Sequence, residues 1–136
     1  MIQSITFTPT TVLSGNLLNV TIVVKNDSAD TLATQGPDPN FVYNEGDDFR
    51  SRGFGDVKRA YRVGVDFDGR TGIDHPYRWG LGAPLAPGQS ATITGAIRLT
   101  TQRTTNYWWG FVREQIAWMQ DRQGVQSIVV VPPDNR

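Results

Sequence analysis

The sequence predicts an all-β protein, an antiparallel β-sandwich of about seven to nine strands with long loops between the early strands. Three observations carry that expectation. Apolar residues recur at every second position in short runs, the period of a strand with one buried face. Clusters of Gly, Pro, Asn and Asp separate those runs at regular spacing. The composition is also poor in helix formers: Lys25 and Lys58 are the only lysines, and Glu45 and Glu114 the only glutamates.

Taken in order, "QSITFTP" alternates apolar and polar residues up to Pro9 and reads as a first strand. In "VLSGNLLNVTIVVKN", Leu18, Val20, Ile22 and Val24 share one face, while Asn19, Thr21 and Lys25 take the other. From Thr31 to Gly72 the pattern weakens into long ordered loops around a short strand at Phe41–Tyr43. A connection of that length inside a compact domain is uncommon unless it does something. "AYRVGVDFDG" is a strand with Tyr61, Val63 and Val65 on one face, and Tyr77–Leu81 is a short segment. After the turn at Pro87–Gly88, Ile93, Gly95, Ile97 and Leu99 line one face of a further strand, with Thr92, Thr94 and Arg98 opposite. The aromatic run from Thr105 follows, and "DRQG" reads as a turn into the last strand, "VQSIVVV". One domain over residues 1–131 is expected, with 132–136 as a tail or linker, since "PPDNR" cannot extend a sheet.

At 136 residues the chain can bury about two-thirds of the surface it exposes when unfolded, so it needs no covalent staple. It has no cysteine, hence neither disulfide nor thiolate zinc site. Thirteen basic and thirteen acidic residues give zero formal charge, which argues against nucleic acid and anionic lipid as partners. No apolar run approaches membrane-spanning length. The opening "MIQSITFTPT" lacks the basic and apolar regions of a signal peptide. Two settings fit: an extracellular or cell-surface segment of a longer exported chain, or a cytoplasmic protein if Met1 is the natural start.

"GNLLNVTIVVKND", "LAPGQSATITG" and the aromatic penultimate strand running into "SIVVV" together resemble a bacterial immunoglobulin-like module, in the order familiar from cell-adhesion-related domains. The late tryptophans with "REQIAWMQDRQG" also resemble, more weakly, the four-tryptophan domain of autophagy cargo receptors. The first resemblance implies a penultimate-strand tyrosine at a corner, followed two residues later by a core residue. In "YWW" that puts Tyr107 at the corner, Trp109 inward opposite Ile22, and Trp108 outward. Trp108 is then either covered by a loop of the Thr31–Gly72 excursion or left in a contact patch.

Chemistry finds little material. His75 is the only histidine and reads as a loop residue; with Asp74 beside it and Ser90 in a turn, no nucleophilic triad forms. Glu45, Asp47 and Asp48 read as solvated loop charge rather than glycosidase carboxyls. Asp66 and Asp68 in "DFDG" are a weak calcium candidate. Alternating arginines and aromatics, Tyr61-Arg62, Tyr77-Arg78-Trp79 and Phe111-x-Arg113, read as arginine stems packed over rings or as contact residues.

The sequence therefore points to a non-catalytic interaction, adhesion or spacer module that binds protein partners or copies of itself. Trp108, Tyr77, Trp79 and Arg113 are its candidate contact residues. A carbohydrate-binding module using exposed aromatics is one alternative. A self-assembling subunit that pairs through "QSITF" or "SIVVV" is another.

Overall fold

The structure is a computed structural model that describes residues 1–133. Nine strands follow in chain order: β1 (Ile2–Thr8), β2 (Thr11–Leu13), β3 (Leu17–Lys25), β4 (Val42–Asn44), β5 (Tyr61–Phe67), β6 (Tyr77–Gly80), β7 (Ser90–Arg98), β8 (Thr104–Arg113) and β9 (Ala117–Val131). They make two sheets, one ordered β1-β3-β7-β4 and the other β2-β9-β8-β5-β6. The expected sandwich is present, with two departures from antiparallel pairing. β2 runs parallel to β9, and β4 runs parallel to β7.

Period-2 alternation explains the four-stranded sheet. Leu18, Val20, Ile22 and Val24 of β3 are fully buried, as are Ile93 and Ile97 of β7, while Asn19, Thr92 and Arg98 face solvent. Facing them from the other sheet are Val63 and Val65 of β5, Trp79 of β6, Tyr107, Trp109 and Phe111 of β8, and Ile128 of β9. Trp79 crosses the core onto β7, donates from Nε1 to the Phe41 carbonyl at 2.9 Å, and meets the tilted ring of Trp109 with centroids 5.6 Å apart. Gly95 makes room for it: a Cβ there would lie 2.2 Å from the indole.

The five-stranded sheet does not alternate. β5 is buried at Arg62, Val63, Gly64, Val65 and Asp66, so both of its faces are covered. The long excursion before β5 provides part of that cover. It supplies edge strand β4 and then lays Phe49, fully buried, over the guanidiniums of Arg62 and Arg78. The excursion is thus a second layer on the sheet rather than a solvated loop.

The last strand also departs from expectation. "DRQG" is not a turn: β9 is continuous, and the chain reverses at Glu114–Ile116, where the Ile116 N–H donates to the Arg113 carbonyl at 3.0 Å. Three register shifts each place an extra residue on β9 opposite β8. Bulges of this kind absorb left-handed backbone, seen here at Arg122 (φ 52°) and Gly124 (φ 65°). Pro132 and Pro133 follow β9 outside any strand; residues 134–136 of the expected tail lie outside the described residues.

Candidate functional site

The outer face of the five-stranded sheet carries the densest chemistry in the molecule. Arg62 and Asp66 of β5, Arg78 of β6, Glu114 after β8 and His75 before β6 are all buried there. Strand parity places the strand residues among them: in β5 the residues next to core-facing Val63 and Val65 must point the other way. Glu114 lies between two arginines, accepting from Arg78 Nη1 at 2.8 and 3.0 Å and from Arg62 Nη1 at 3.3 Å. Arg78 also donates to the His75 carbonyl and to Asp74, and Arg62 to the carbonyls of Gly36 and Gly55. These bonds tie the covering loops to the sheet. Burial pushes the Glu114 carboxyl above the ordinary carboxylate range, against the pull of Arg78. Burial acts on Asp56 in the same sense, but its hydrogen bond from Arg50 brings it below its ordinary value.

Beside this ion network, Trp118 of β9 reaches across the sheet. Gly110 and Gly64, cross-strand partners on β8 and β5, leave the space it occupies; a Cβ on Gly110 would meet the indole at 2.6 Å. His75 stacks on Trp118 with centroids 3.6 Å apart and planes 23° apart. Its Nε2 lies 2.7 Å from Asp121 Oδ1 and its Nδ1 lies 3.0 Å from Asp74 Oδ1. From the sequence His75 reads as a plain loop residue, and nothing in the alternation marks Trp118. The available signal was the pair of strand-interior glycines, since glycine inside a strand marks close approach.

The sequence candidates are dispersed. Tyr77 and Trp79 do not lie at a contact surface: both are fully buried in the core, because β6 has its aromatic side chains packed under β4. Trp109 is inward and Trp108 outward, as parity predicts, and Trp108 retains 7% exposure. Its cover is Arg122 of β9, whose guanidinium sits 4.0 Å from the ring centroid, rather than a loop of the early excursion. Tyr107 packs between Phe7 and Phe67, while the hydroxyl that donates to backbone at the other sheet edge is that of Tyr43, to the Arg78 carbonyl at 2.7 Å. Arg113 lies over the ring of Tyr61.

Asp66 and Asp68 are not brought together as ligands. Asp66 is buried and accepts from Arg70 Nε at 3.0 Å, whereas exposed Asp68 accepts from Asn106 Nδ2 at 3.2 Å. Among the described residues no three His, Asp or Glu side chains form a group suited to a metal ion.

A second surface lies at the end of the sandwich where β1 and β9 begin and β3 and β8 finish. A cleft of about 350 Å³ opens there, lined by Met1, Asn26, Leu32, Tyr61, Phe111 and Met119. Met119 is 55% exposed, and Val57 and Ile116 stand exposed beside the β8–β9 turn, where the Arg59 N–H donates to the Glu114 carbonyl.

No family model and no curated protein matches the chain. Among solved structures it is similar to the CARDB domain of a Pyrococcus furiosus protein, solved in complex with di-metal ions: 14% identity, a TM-score of 0.52, and coverage of 94% of this chain and 89% of that one. A β-glucosidase from Listeria innocua in complex with glucose aligns with 12% identity and a TM-score of 0.44, over 97% of this chain and 16% of that enzyme. The first likeness shows the fold: an immunoglobulin-like β-sandwich of the kind found in a CARDB domain.

Proposed function

We propose that the chain is a non-catalytic adhesion-type or spacer module that binds a protein partner through the end of the sandwich carrying Tyr61, Phe111 and Met119. The setting that suits it is a longer exported chain displayed at a cell surface. One observation carries the reading: the apolar cleft at this end, rimmed by the exposed Met119 and by Tyr61 under Arg113. Tyr, Met and Arg are the side chains enriched at protein interfaces, and an apolar cleft with a polar rim is the anatomy of a contact site. On the opposite side exposed Asp27 and Ser28 supply that rim, the Ser28 hydroxyl donating to Oδ1 of the buried Asn26.

Photo-crosslinking tests this in cells that make the protein. A benzoylphenylalanine at Met119 is expected to give a discrete protein adduct that disappears with Tyr61→Ala. The same group at Thr92, exposed on the other sheet, should give none. Equal yields from both positions, or no adduct from position 119, would sink the reading.

A second reading, self-assembly, has one observation in its favour. β1 pairs with β3 along one side, so its other backbone edge is the end of the sheet order. Of "SIVVV", Val129–Val131 of β9 pair with β2 on the side away from β8, which favours β1 as the pairing edge. If the Met119 adduct is a second copy of the chain, the partner is homotypic.

A further inference from the structure

We infer that the partner taken at the apolar end of the sandwich is an acidic segment of a protein chain. It seats an apolar side chain in the cleft and sets its carboxylates against Lys58 and Arg59. The inference rests on the contact site proposed above and names the chemistry that this site selects.

A formal charge of zero conceals an uneven distribution. Among the described residues, ion pairs with carboxylates occupy Arg50, Arg52, Arg62, Arg70, Arg78 and Arg122. Of the other described cations, Arg98 and Arg103 lie at the far end, where β7 finishes and β8 begins. Lys25, Lys58, Arg59 and Arg113 gather at the near one. Lys25 lines the cleft, Arg113 lies over the cleft residue Tyr61, and the Arg59 N–H donates to the Glu114 carbonyl at the β8–β9 turn, with Lys58 just before it. Both lysines of the chain are therefore here.

Little negative charge at this end is free to answer them. Glu114 is buried and shared by Arg62 and Arg78, and Asp56 accepts from Arg50. The exposed carboxylates are Asp27 and Asp30, beside Asn26 on the other side of the cleft. The rim is thus basic along the β8–β9 turn and acidic across from it. Complementary charge gives an interface its register, so the carboxylates of the partner belong on the Lys58 and Arg59 side. Apolar surface coincides with the basic one: Met1, Val57, Ile116 and Met119 stand exposed at this end, whereas Leu13, Val42 and Val125 are scattered elsewhere.

An anionic membrane also attracts basic and apolar groups together. The shape favours a protein segment. The apolar surface includes a concave cleft of about 350 Å³, which a side chain fills, and seating this end on lipid would press Asp27 and Asp30 against anionic headgroups.

The test uses benzoylphenylalanine at Met119 in cells that make the full chain, with tandem mass spectrometry of the adduct. The crosslinked segment is expected to be rich in Asp and Glu. Adduct yield should fall about tenfold or more when Lys58→Glu and Arg59→Glu are combined, stay near wild type when Lys58→Arg and Arg59→Lys are combined, and rise with Asp27→Lys. Lys58 and Arg59 are exposed, so these changes leave the core intact. An adduct that survives the double reversal, or a segment without acidic residues, overturns the acidic partner while leaving the contact site standing. No adduct in the wild type removes the contact site and this inference with it. Vesicles of phosphatidylserine and phosphatidylcholine provide the other arm. Binding to them that the double reversal abolishes, without a protein adduct, assigns the surface to lipid and overturns the inference.

Discussion

Gly95→Ala isolates the geometry of the core in a single methyl group. Gly95 lies at the middle of β7, opposite Val20 of β3, with its missing Cβ aimed at Trp79. An added Cβ would meet the indole at 2.2, 2.3 and 2.6 Å, more than 1 Å inside contact distance. Trp79 cannot swing away, because it is fully buried between Tyr43 and Trp109 and bonded to the Phe41 carbonyl. Overpacking of this kind costs about 1–3 kcal/mol. Stretching the indole N–H from its acceptor adds about 1 kcal/mol. The restricted unfolded backbone of alanine returns roughly 0.5–1 kcal/mol. The net is a loss of about 2–3 kcal/mol, read in urea unfolding as a midpoint shift of about 1–2 M with unchanged slope. Gly110→Ala is the control: its Cβ would also enter an indole, at 2.6 Å, but Trp118 is only partly buried and lies on the outer face of the sheet, not in the core. It should cost less than half as much. A Gly95→Ala protein within about 0.5 kcal/mol of wild type, or a Gly110→Ala protein equally damaged, would refute this account of the core.

Glu114→Ala leaves the guanidiniums of Arg62 and Arg78 buried without their carboxylate and should cost about 3–5 kcal/mol, whereas Glu114→Gln should cost markedly less; denaturant midpoints decide. Arg122→Ala uncovers the outer tryptophan, so iodide should quench a tryptophan signal in this variant that is protected in wild type, and a second change, Trp108→Phe, should remove it. Burial raises the hydroxyls of Tyr43, Tyr77 and Tyr107 above the ordinary tyrosine value. Because the folded values are the higher ones, this stability is complete below about pH 10 and is lost as pH rises above it. Phenolate absorbance should therefore show three of the four tyrosines titrating together with unfolding rather than before it.

The strands of the four-stranded sheet were legible because one face is wet, and alternation in β3 and β7 reports that directly. Arg62-Val-Gly-Val-Asp66 carries the same alternation, but its polar positions are buried, and no periodicity distinguishes a charged side chain in water from one in an ion network. The outer-face site is assembled from residues distant in sequence: Arg62 with Glu114, His75 with Asp121, Gly64 and Gly110 with Trp118. Each member alone reads as an ordinary surface or loop residue. Trp108 and Trp109 were separable by parity, whereas Tyr77 and Trp79 were not, because a four-residue strand with Arg78 between two aromatics fits either orientation.

The short parallel pairing of β2 with β9 has a mechanical meaning. β1 starts at one end of the sandwich and β9 finishes at the other, so tension applied at Met1 and Val131 pulls β2 and β9 along their length in opposite directions. The bonds from the Ser14 N–H to the Val131 carbonyl and from the Val129 N–H to the Thr10 carbonyl are then loaded together in shear, not opened one after another. A module strung between neighbours would hold its shape until that clasp gives way at once. Force-extension traces of tandem copies should show a single high-force event per copy, lowered when β2 is deleted.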